Sequence, residues 1–208
     1  NMTTEFTHLH LHSEYSLVDG IVRIGPMLKA LKAQGASAVA MTDQANLFGM
    51  VKFYKAARKA GIKPIIGSEI WLHNADEPSK PFCLVLLCQN NAGYLNLSRL
   101  LSRAYVEGQH LGHAIIRPDW LEGATEGLIA MSAGLRGDIG SALSQNKPAL
   151  AEKRLAFWQA HFPNRFYLEL IRTGKPQQEA YNQAALDLAE KHDVPVVATN
   201  DVRFLQAA

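Results

Sequence analysis

The stretch that decides the fold is HLHLH at residues 8–12, followed by the acidic, hydroxyl-rich segment SEYSLVDG at residues 13–20. Strict alternation of two residue types is typical of an extended strand, because successive side chains point to opposite faces. His8, His10 and His12 therefore share one face, where a row of imidazoles is costly to bury without partners. Two interpretations follow: an exposed edge strand that carries histidines, or a metal site at the end of a strand.

Length and composition predict an ordinary soluble globular domain. The chain has 208 residues, of which 48% are hydrophobic, and a net charge of +2 whose charges are scattered along the sequence. This charge pattern does not argue for a nucleic-acid or membrane surface. Cys83 and Cys88 lie five apart in an apolar run, on opposite faces of the predicted strand, which indicates free thiols and a reducing compartment. The sequence lacks a signal-peptide core and an apolar run long enough to span a membrane, so we expect a cytoplasmic protein.

Short apolar runs alternate with amphipathic segments along the chain. The apolar runs predict seven strands, at residues 6–12, 37–43, 63–72, 82–88, 127–132, 166–171 and 194–201. The amphipathic segments predict helices at residues 25–34, 47–60, 93–106, 138–144, 148–161 and 176–192, with a short helical turn at 118–121. This alternation indicates parallel βα units in an α/β fold. Because the sequence has no dinucleotide-binding fingerprint, a barrel-like arrangement is favoured over an open doubly wound sheet.

Polar residues collect where the predicted strands end. They are His10, His12, Asp19, residues 42–46, Glu69 and residues 199–203. Each one alone is typical of a helix cap or a turn. Together they indicate a site, because loops converge above the carboxyl ends of the strands in βα barrels. A mixed set of His, Glu and Asp suits Zn, Mn or Fe, and hydrolysis of phosphate esters often needs a pair of such metals.

These motifs resemble those of the PHP (polymerase and histidinol phosphatase) family. The motifs that carry the resemblance are HLH at residues 10–12 with Asp19, TDQANL at 42–47, GIKPIIGSE at 61–69 and VATND at 197–201. Within the family, NAGYLNL at 91–97, EGLIAMS at 126–132 and FYLEL at 166–170 resemble the branch at the N-terminus of bacterial replicative DNA polymerase III alpha subunits. The resemblance covers essentially the whole chain. We therefore expect residues 1–208 to form a single PHP domain, the N-terminal fragment of a much longer polymerase subunit.

The resemblance implies a distorted, TIM-like (β/α)7 barrel and, in active members, up to three metals held by nine ligands. By position, the ligands of the first metal are all retained, namely His10, His12, Glu69 and Asp201. Asp19 is the retained member of the third metal site. Five of the nine positions thus keep the residue that the family implies.

The other four ligand positions are changed. Cys83 and Gly134 stand where the second metal would have its other ligands, and Gln44 and Arg203 stand where the third would have histidines. Gln is a poor substitute for imidazole, Gly has no side chain, and Arg is a permanent cation that repels a metal. Arg203 shares a face with Asp201 on an extended segment, so its guanidinium is placed to neutralise that carboxylate. We expect one divalent metal (Zn, Mn or Fe) or none, and little phosphoesterase activity, because the two-metal clamp is lost.

For function, the resemblance implies a parent protein that is a DNA-directed DNA polymerase, with Mg as its metal and its polymerising residues outside this sequence. No residue here is assigned a catalytic role. The domain itself is implied to be a structural and binding module that holds the proofreading exonuclease subunit beside the polymerase domains of the same chain. Other replisome subunits and DNA would be partners through the full-length protein, and no membrane partner is expected.

Two enzymatic alternatives stay open. One is an active metal-dependent phosphoesterase or 3′–5′ exonuclease, as in PHP relatives with a full ligand set. The other is a free-standing enzyme like histidinol phosphatase, which the motifs between residues 91 and 171 disfavour. The sequence also leaves open whether His8 belongs to the site or hydrogen-bonds behind it, and whether a closing segment of the barrel is missing after residue 208.

Overall fold

A computed structural model describes residues 7–11, 38–42, 63–110, 113–171 and 175–199. The chain divides into two compact units: Asn1–Ser68 together with Asn200–Ala208, and Glu69–Thr199. Among the described residues, no helix is both long enough and apolar enough to cross a membrane.

The first unit contains parallel strands. β1 (Thr7–Leu11) pairs with β2 (Ala38–Thr42), and β2 pairs with the first residues of β3 (Lys63–Leu72), both in parallel. The strands predicted at 6–12 and 37–43 are therefore confirmed, each one residue shorter at both ends. The helices predicted at 25–34 and 47–60 lie outside the described residues.

From Glu69 onward, helices are interspersed among the strands. After the end of β3, the elements are β4 (Phe82–Cys88), α1 (Asn91–Glu107), β5 (Gln109–His110), β6 (His113–Ile116), β7 (Leu128–Met131), α2 (Asp138–Ser144), α3 (Pro148–His161), β8 (Phe166–Ile171), α4 (Pro176–His192) and β9 (Val196–Thr199). Short 3-10 turns cover Pro118–Leu121 and Gly134–Arg136.

The strands of this second unit form a mixed sheet, in the order β3, β4, β7, β8, β9. β7 pairs with β8 and β8 with β9 in parallel, whereas β4 runs antiparallel to β7, with Val85 opposite Met131. The prediction of parallel βα units was therefore wrong for β4. The connection from β3 to β4, residues 73–81, contains no helix, and a parallel crossover needs a dozen or more residues.

The core of the second unit is built around β4. All five residues from Cys83 to Leu87 are buried, and α1 packs its buried Leu97, Leu100 and Leu101 at helical spacing. A leucine buried in this way contributes about 1.5–3 kcal/mol through the area it removes from water. Cys83, a predicted ligand position, thus lies in a tightly packed strand.

Several elements have the bounds that the sequence predicts. These are the strands at 63–72, 82–88 and 166–171 and the helices at 138–144, 148–161 and 176–192. β5 and β6 lie where only a loop was expected. They are too short to show a period, and β6 is held by tertiary pairing with β3 and β5.

Candidate metal centre

The structure places three of the nine predicted ligand positions with their surroundings. Glu69, Cys83 and Gly134 all belong to the unit Glu69–Thr199. His10 lies in β1, where the structure describes its backbone. The other predicted positions lie outside the described residues, namely His12, Asp19, Gln44, Asp201 and Arg203.

Glu69 is a buried carboxylate that is paired with an arginine. It lies in β3 and is 2% exposed. Arg136 donates to both of its oxygens: Nη2 lies 2.6 Å from Oε1 and Nη1 lies 3.3 Å from Oε2. This is the fork geometry in which a guanidinium binds a carboxylate most strongly. An isolated carboxylate would be very costly to bury at this depth, and the guanidinium offsets that cost.

The backbone after β7 brings Arg136 to Glu69. Ala133 and Gly134 both adopt left-handed conformations, with φ of 60° and 58°. The chain then enters the 3-10 turn Gly134–Arg136, in which the Arg136 N–H donates to the Ala133 carbonyl. A left-handed conformation costs an alanine about 1–2 kcal/mol, so surrounding contacts have to hold this turn in place.

A second buried carboxylate, Glu169, provides such a contact. It lies in β8, is 1% exposed, and its Oε1 accepts a 2.9 Å hydrogen bond from the Ala133 N–H. The Glu169 N–H donates to Ser132 Oγ at 3.0 Å, and the Tyr181 hydroxyl donates to the Glu169 carbonyl at 2.6 Å. β8 and α4 thus support the turn from which Arg136 extends.

Cys83 is a buried free cysteine. Burial, followed by the Glu69 carboxylate, raises the pKa of the thiol far above its usual value, and the nearby Arg136 only partly opposes this. A metal ligand has to be a thiolate. In this environment the side chain behaves as a small buried apolar group.

The residues that correspond to the second metal position do not fit a metal. Glu69 accepts hydrogen bonds from Arg136 through both oxygens, Cys83 is buried in the packed strand β4, and Gly134 has no side chain to offer. Over residues 67–108, 115–170 and 175–197, where the structure describes side chains, no three His, Cys, Asp or Glu side chains gather as a metal site would require. Of the first position, the structure describes only the Glu69 side chain, so that site stays a prediction.

An open cleft of about 800 Å³ lies on the outer side of Arg136. The Arg136 side chain is 44% exposed, whereas that of Glu69 is 1% exposed. The charged residues that line the cleft are of both signs: Asp76, Glu77, Lys80, Arg136, Lys147 and Arg154. The guanidinium therefore approaches the buried carboxylate from the solvent-facing side.

Sequence reasoning missed the roles of Arg136 and Glu169. Glu169 is the one acidic residue of the FYLEL motif, and a single acidic residue in an apolar strand is a usable signal of a buried, paired group. Arg136 carries no comparable signal. Its partner becomes visible only when the left-handed turn at Ala133 and Gly134 is known.

Comparison with known families identifies the fold. Residues 8–173 match the family described as PHP domain. The chain belongs to the PHP family. The PHP-type α/β fold expected from the sequence is therefore confirmed.

Curated relatives of this PHP chain carry a polymerase name. It is 50% identical over 205 residues to the DNA polymerase III subunit alpha of Pseudomonas fluorescens. The aligned region covers 99% of this chain and 18% of the relative. It is 46% identical over 203 residues to the subunit of the same name from Escherichia coli K12, covering 98% of this chain and 18% of the relative. The chain thus spans about a fifth of the length of these relatives.

Solved structures share the fold at low sequence identity. A protein from Bifidobacterium adolescentis, named for metal-dependent phosphoesterase chemistry, aligns with a TM-score of 0.61 and 15% identity over 94% of this chain and 86% of its own. An amidohydrolase from Chromobacterium violaceum aligns with the same TM-score and coverage at 16% identity. At this identity the likeness establishes the fold alone.

Proposed function

We propose that this PHP domain is the N-terminal part of a bacterial replicative DNA polymerase III alpha subunit and that it acts there as a structural and binding module. The placement in an alpha subunit is supported by the sequence identity of 46–50% to such subunits over nearly the whole chain. The partner proposed for the module is the proofreading exonuclease subunit, beside the polymerase domains of the same chain. The parent protein is proposed to be a DNA-directed DNA polymerase that uses Mg, works with other replisome subunits on DNA, and resides in the cytoplasm.

The non-enzymatic role of the domain is supported by the state of its metal centre. Where the second metal would bind, the structure has an arginine on Glu69, a buried thiol at Cys83 and no side chain at Gly134. Without a second metal, a phosphate group cannot be clamped between two cations. This chain is therefore proposed to have little hydrolytic activity of its own.

One metal position is proposed to keep a complete ligand set. Its ligands are His10, His12, Glu69 and Asp201, with Asp19 as a remnant of a further site whose other positions are Gln44 and Arg203. The mixture of imidazole and carboxylate suits Zn, Mn or Fe. This position is proposed to hold one divalent ion or none.

The alternative is a working metal-dependent phosphoesterase or 3′–5′ exonuclease. It is favoured by the fold that the chain shares with a protein named for metal-dependent phosphoesterase chemistry. The four changed ligand positions argue against it, since hydrolysis of phosphate esters commonly uses a metal pair.

Two assays on the full chain separate these functions. In a pull-down with the exonuclease subunit of the same organism, we expect stable capture. In a phosphate-ester hydrolysis assay with added Mn or Zn, we expect a rate no higher than that of the same chain in EDTA. Metal-stimulated hydrolysis without capture would overturn the binding module and support the enzyme.

A further inference from the structure

We propose that a pocket beside α3 binds a neutral aromatic side chain of a partner polypeptide. The pocket has a volume of about 320 Å³ and is lined mainly by the chain after β3, the first residue of β4 and one side of α3. It adjoins the open cleft near Arg136, with which it shares Phe82, Leu150 and Arg154 among its lining residues. The inference goes beyond the proposed function, because it assigns a binding site within this chain and does not depend on which protein fills it.

The walls of the pocket are largely apolar and partly accessible. Leu72 and Trp158, which line it, are each 1% exposed. Phe82, Leu150 and Phe157, which also line it, are only half-buried. Sites for small groups are typically concave, have volumes of roughly 300–1,000 Å³ and are lined by hydrophobic and aromatic side chains. The half-buried side chains therefore offer apolar surface that a ligand can remove from water.

The charges of the lining select a neutral group. His73 lines the pocket together with two acidic and two basic residues, Asp76, Asp138, Lys153 and Arg154. Arg154 Nη1 donates to the Asp138 carbonyl at 2.6 Å, and both carboxylate oxygens of Asp138 accept from the Trp158 indole at 3.0 Å. The formal charges cancel, and a buried charged group without a partner would be costly. A ligand of either net charge thus gains no advantage over a neutral one.

The side chains of the walls favour a planar ring over an aliphatic group. The Arg154 guanidinium lies 4.9 Å from the centroid of the Phe82 ring. The Phe157 ring meets the Trp158 ring edge to face, with centroids 5.0 Å apart. Guanidinium planes and aromatic rings stack on further rings, and such pairs add stabilisation beyond the area they bury. An aromatic side chain is therefore expected to bind better than an aliphatic one.

The walls are held in place by hydrogen bonds of the chain itself. The Asn74 side chain, on a residue that is 7% exposed, donates to the Lys80 carbonyl at 3.0 Å. Its Oδ1 accepts from the backbone N–H groups of Asp76 and Glu77, both at 3.2 Å. A wall that is already ordered loses little conformational freedom when a ligand binds.

The adjoining cleft favours a polypeptide as the source of the ring. Its volume is about 800 Å³, and the charged residues that line it are of both signs. Mixed charges suit the polar residues and backbone that flank an aromatic anchor in a protein interface. They suit the uniformly negative phosphate of a nucleotide less well.

The test is an NMR titration of the full chain with N-acetyl-tryptophanamide, a neutral mimic of a tryptophan within a polypeptide. The reporter is the indole N–H of Trp158, which lines the pocket. We expect its signal to shift saturably, with a Kd of about 1 mM or tighter. The indole N–H of Trp120, which lines neither the pocket nor the adjoining cleft, should stay in place. N-acetyl-leucinamide should bind at least about fivefold more weakly.

Three variants test the residues that line the pocket. Leu150→Ala removes an apolar contact, so its Kd for N-acetyl-tryptophanamide should rise by about fivefold or more. The matched control is Leu186→Ala, at a position of α4 that is 40% exposed, and its Kd should equal that of the wild type. Lys153→Ala should also leave the Kd unchanged, because the ligand is neutral.

Four results would overturn the inference. They are an unchanged Trp158 signal, equal binding of the leucine and tryptophan amides, an unaltered Kd in Leu150→Ala, and tighter binding of AMP, which would make a nucleotide the occupant. If Leu150→Ala fails to fold, the comparison of ligands on the wild type decides. None of these results bears on capture of the exonuclease subunit or on phosphate-ester hydrolysis, which test the proposed function separately.

Discussion

The backbone N–H of Ala133 donates a 2.9 Å hydrogen bond to the buried carboxylate of Glu169. This bond joins β8 to the left-handed residue that begins the turn to Arg136. A carboxylate that accepts a backbone N–H in the interior makes one of the stronger kinds of protein hydrogen bond.

Glu169→Ala removes this acceptor, so the hydrogen bond from the Ala133 N–H is lost. We expect a loss of about 2 kcal/mol or more in the free energy of unfolding, because a buried donor is orphaned and a cavity is left. Urea denaturation measures the loss. The matched control is Glu190→Ala at an exposed position of α4, which should stay within about 0.5 kcal/mol of wild type. A Glu169→Ala variant as stable as this control would contradict the role given to Glu169.

Gly137→Ala tests how closely the turn is packed. The added Cβ would lie 1.7 Å from the Ser132 carbonyl oxygen, which is backbone and has no flexible end to move. We expect a loss of several kcal/mol or failure to fold, since overpacking against fixed atoms forces the backbone to shift. At Gly123, where a Cβ meets nothing within 4 Å and φ is +71°, the same substitution should cost only about 1–2 kcal/mol. Gly137 has a φ of −82° and carries no left-handed strain, so a loss there no larger than that at Gly123 would contradict close packing against Ser132.

Both cysteines are expected to resist thiol reagents in the folded chain. Burial raises the pKa of the Cys88 thiol to about 12 and raises that of Cys83 further. The reactive thiolate is therefore scarce at neutral and mildly alkaline pH. Counting thiols with a chromogenic disulfide reagent should give almost none in buffer and two after denaturation. Rapid labelling of Cys83 in the folded chain would contradict its assignment as a buried thiol.

Asp138 makes the stability of the chain depend on pH. Burial raises the pKa of its carboxyl, and the Trp158 indole, which donates to both oxygens at 3.0 Å, only partly opposes this. With a folded-state pKa above the unfolded one, the carboxyl contributes stability that is fully present below the unfolded pKa and is lost as pH rises through the folded pKa.

The variant Asp138→Asn removes this titration. Its destabilisation relative to wild type should be smaller at about pH 7.5 than at about pH 4.5, because the wild type loses stability over that interval. Urea denaturation at the two pH values measures the difference. Asp119→Asn, at an exposed position, should differ from wild type by less than about 0.5 kcal/mol at both. A destabilisation by Asp138→Asn that grows with pH would contradict the argument.

Much of the fold of the second unit could be predicted because local signals mark it. Pro148 and Pro176 stand at the first turn of their helices, where a missing N–H costs nothing. β4 is a continuous apolar run, which predicts a strand buried on both faces. Its antiparallel pairing with β7 has no such signal, since strand direction depends on the connection and on tertiary contacts.

The candidate site was predictable only in part. Glu69 could be singled out because a strand ends near it, and Gly134 because it lacks the side chain that the family resemblance implies. Arg136 has no periodic relation to Glu69 in the sequence, and the contact between them depends on two successive left-handed residues. Pairings of this kind are decided by backbone geometry that composition and spacing do not encode.

The most direct test of the degraded metal centre is the metal content of the full chain. The measurement is elemental analysis of protein purified without chelators and dialysed against metal-free buffer, expressed as metal ions per chain. We predict at most one ion per chain, because at the second position Arg136 bonds both oxygens of Glu69 and Gly134 has no side chain to offer. Two or three ions per chain would contradict the account.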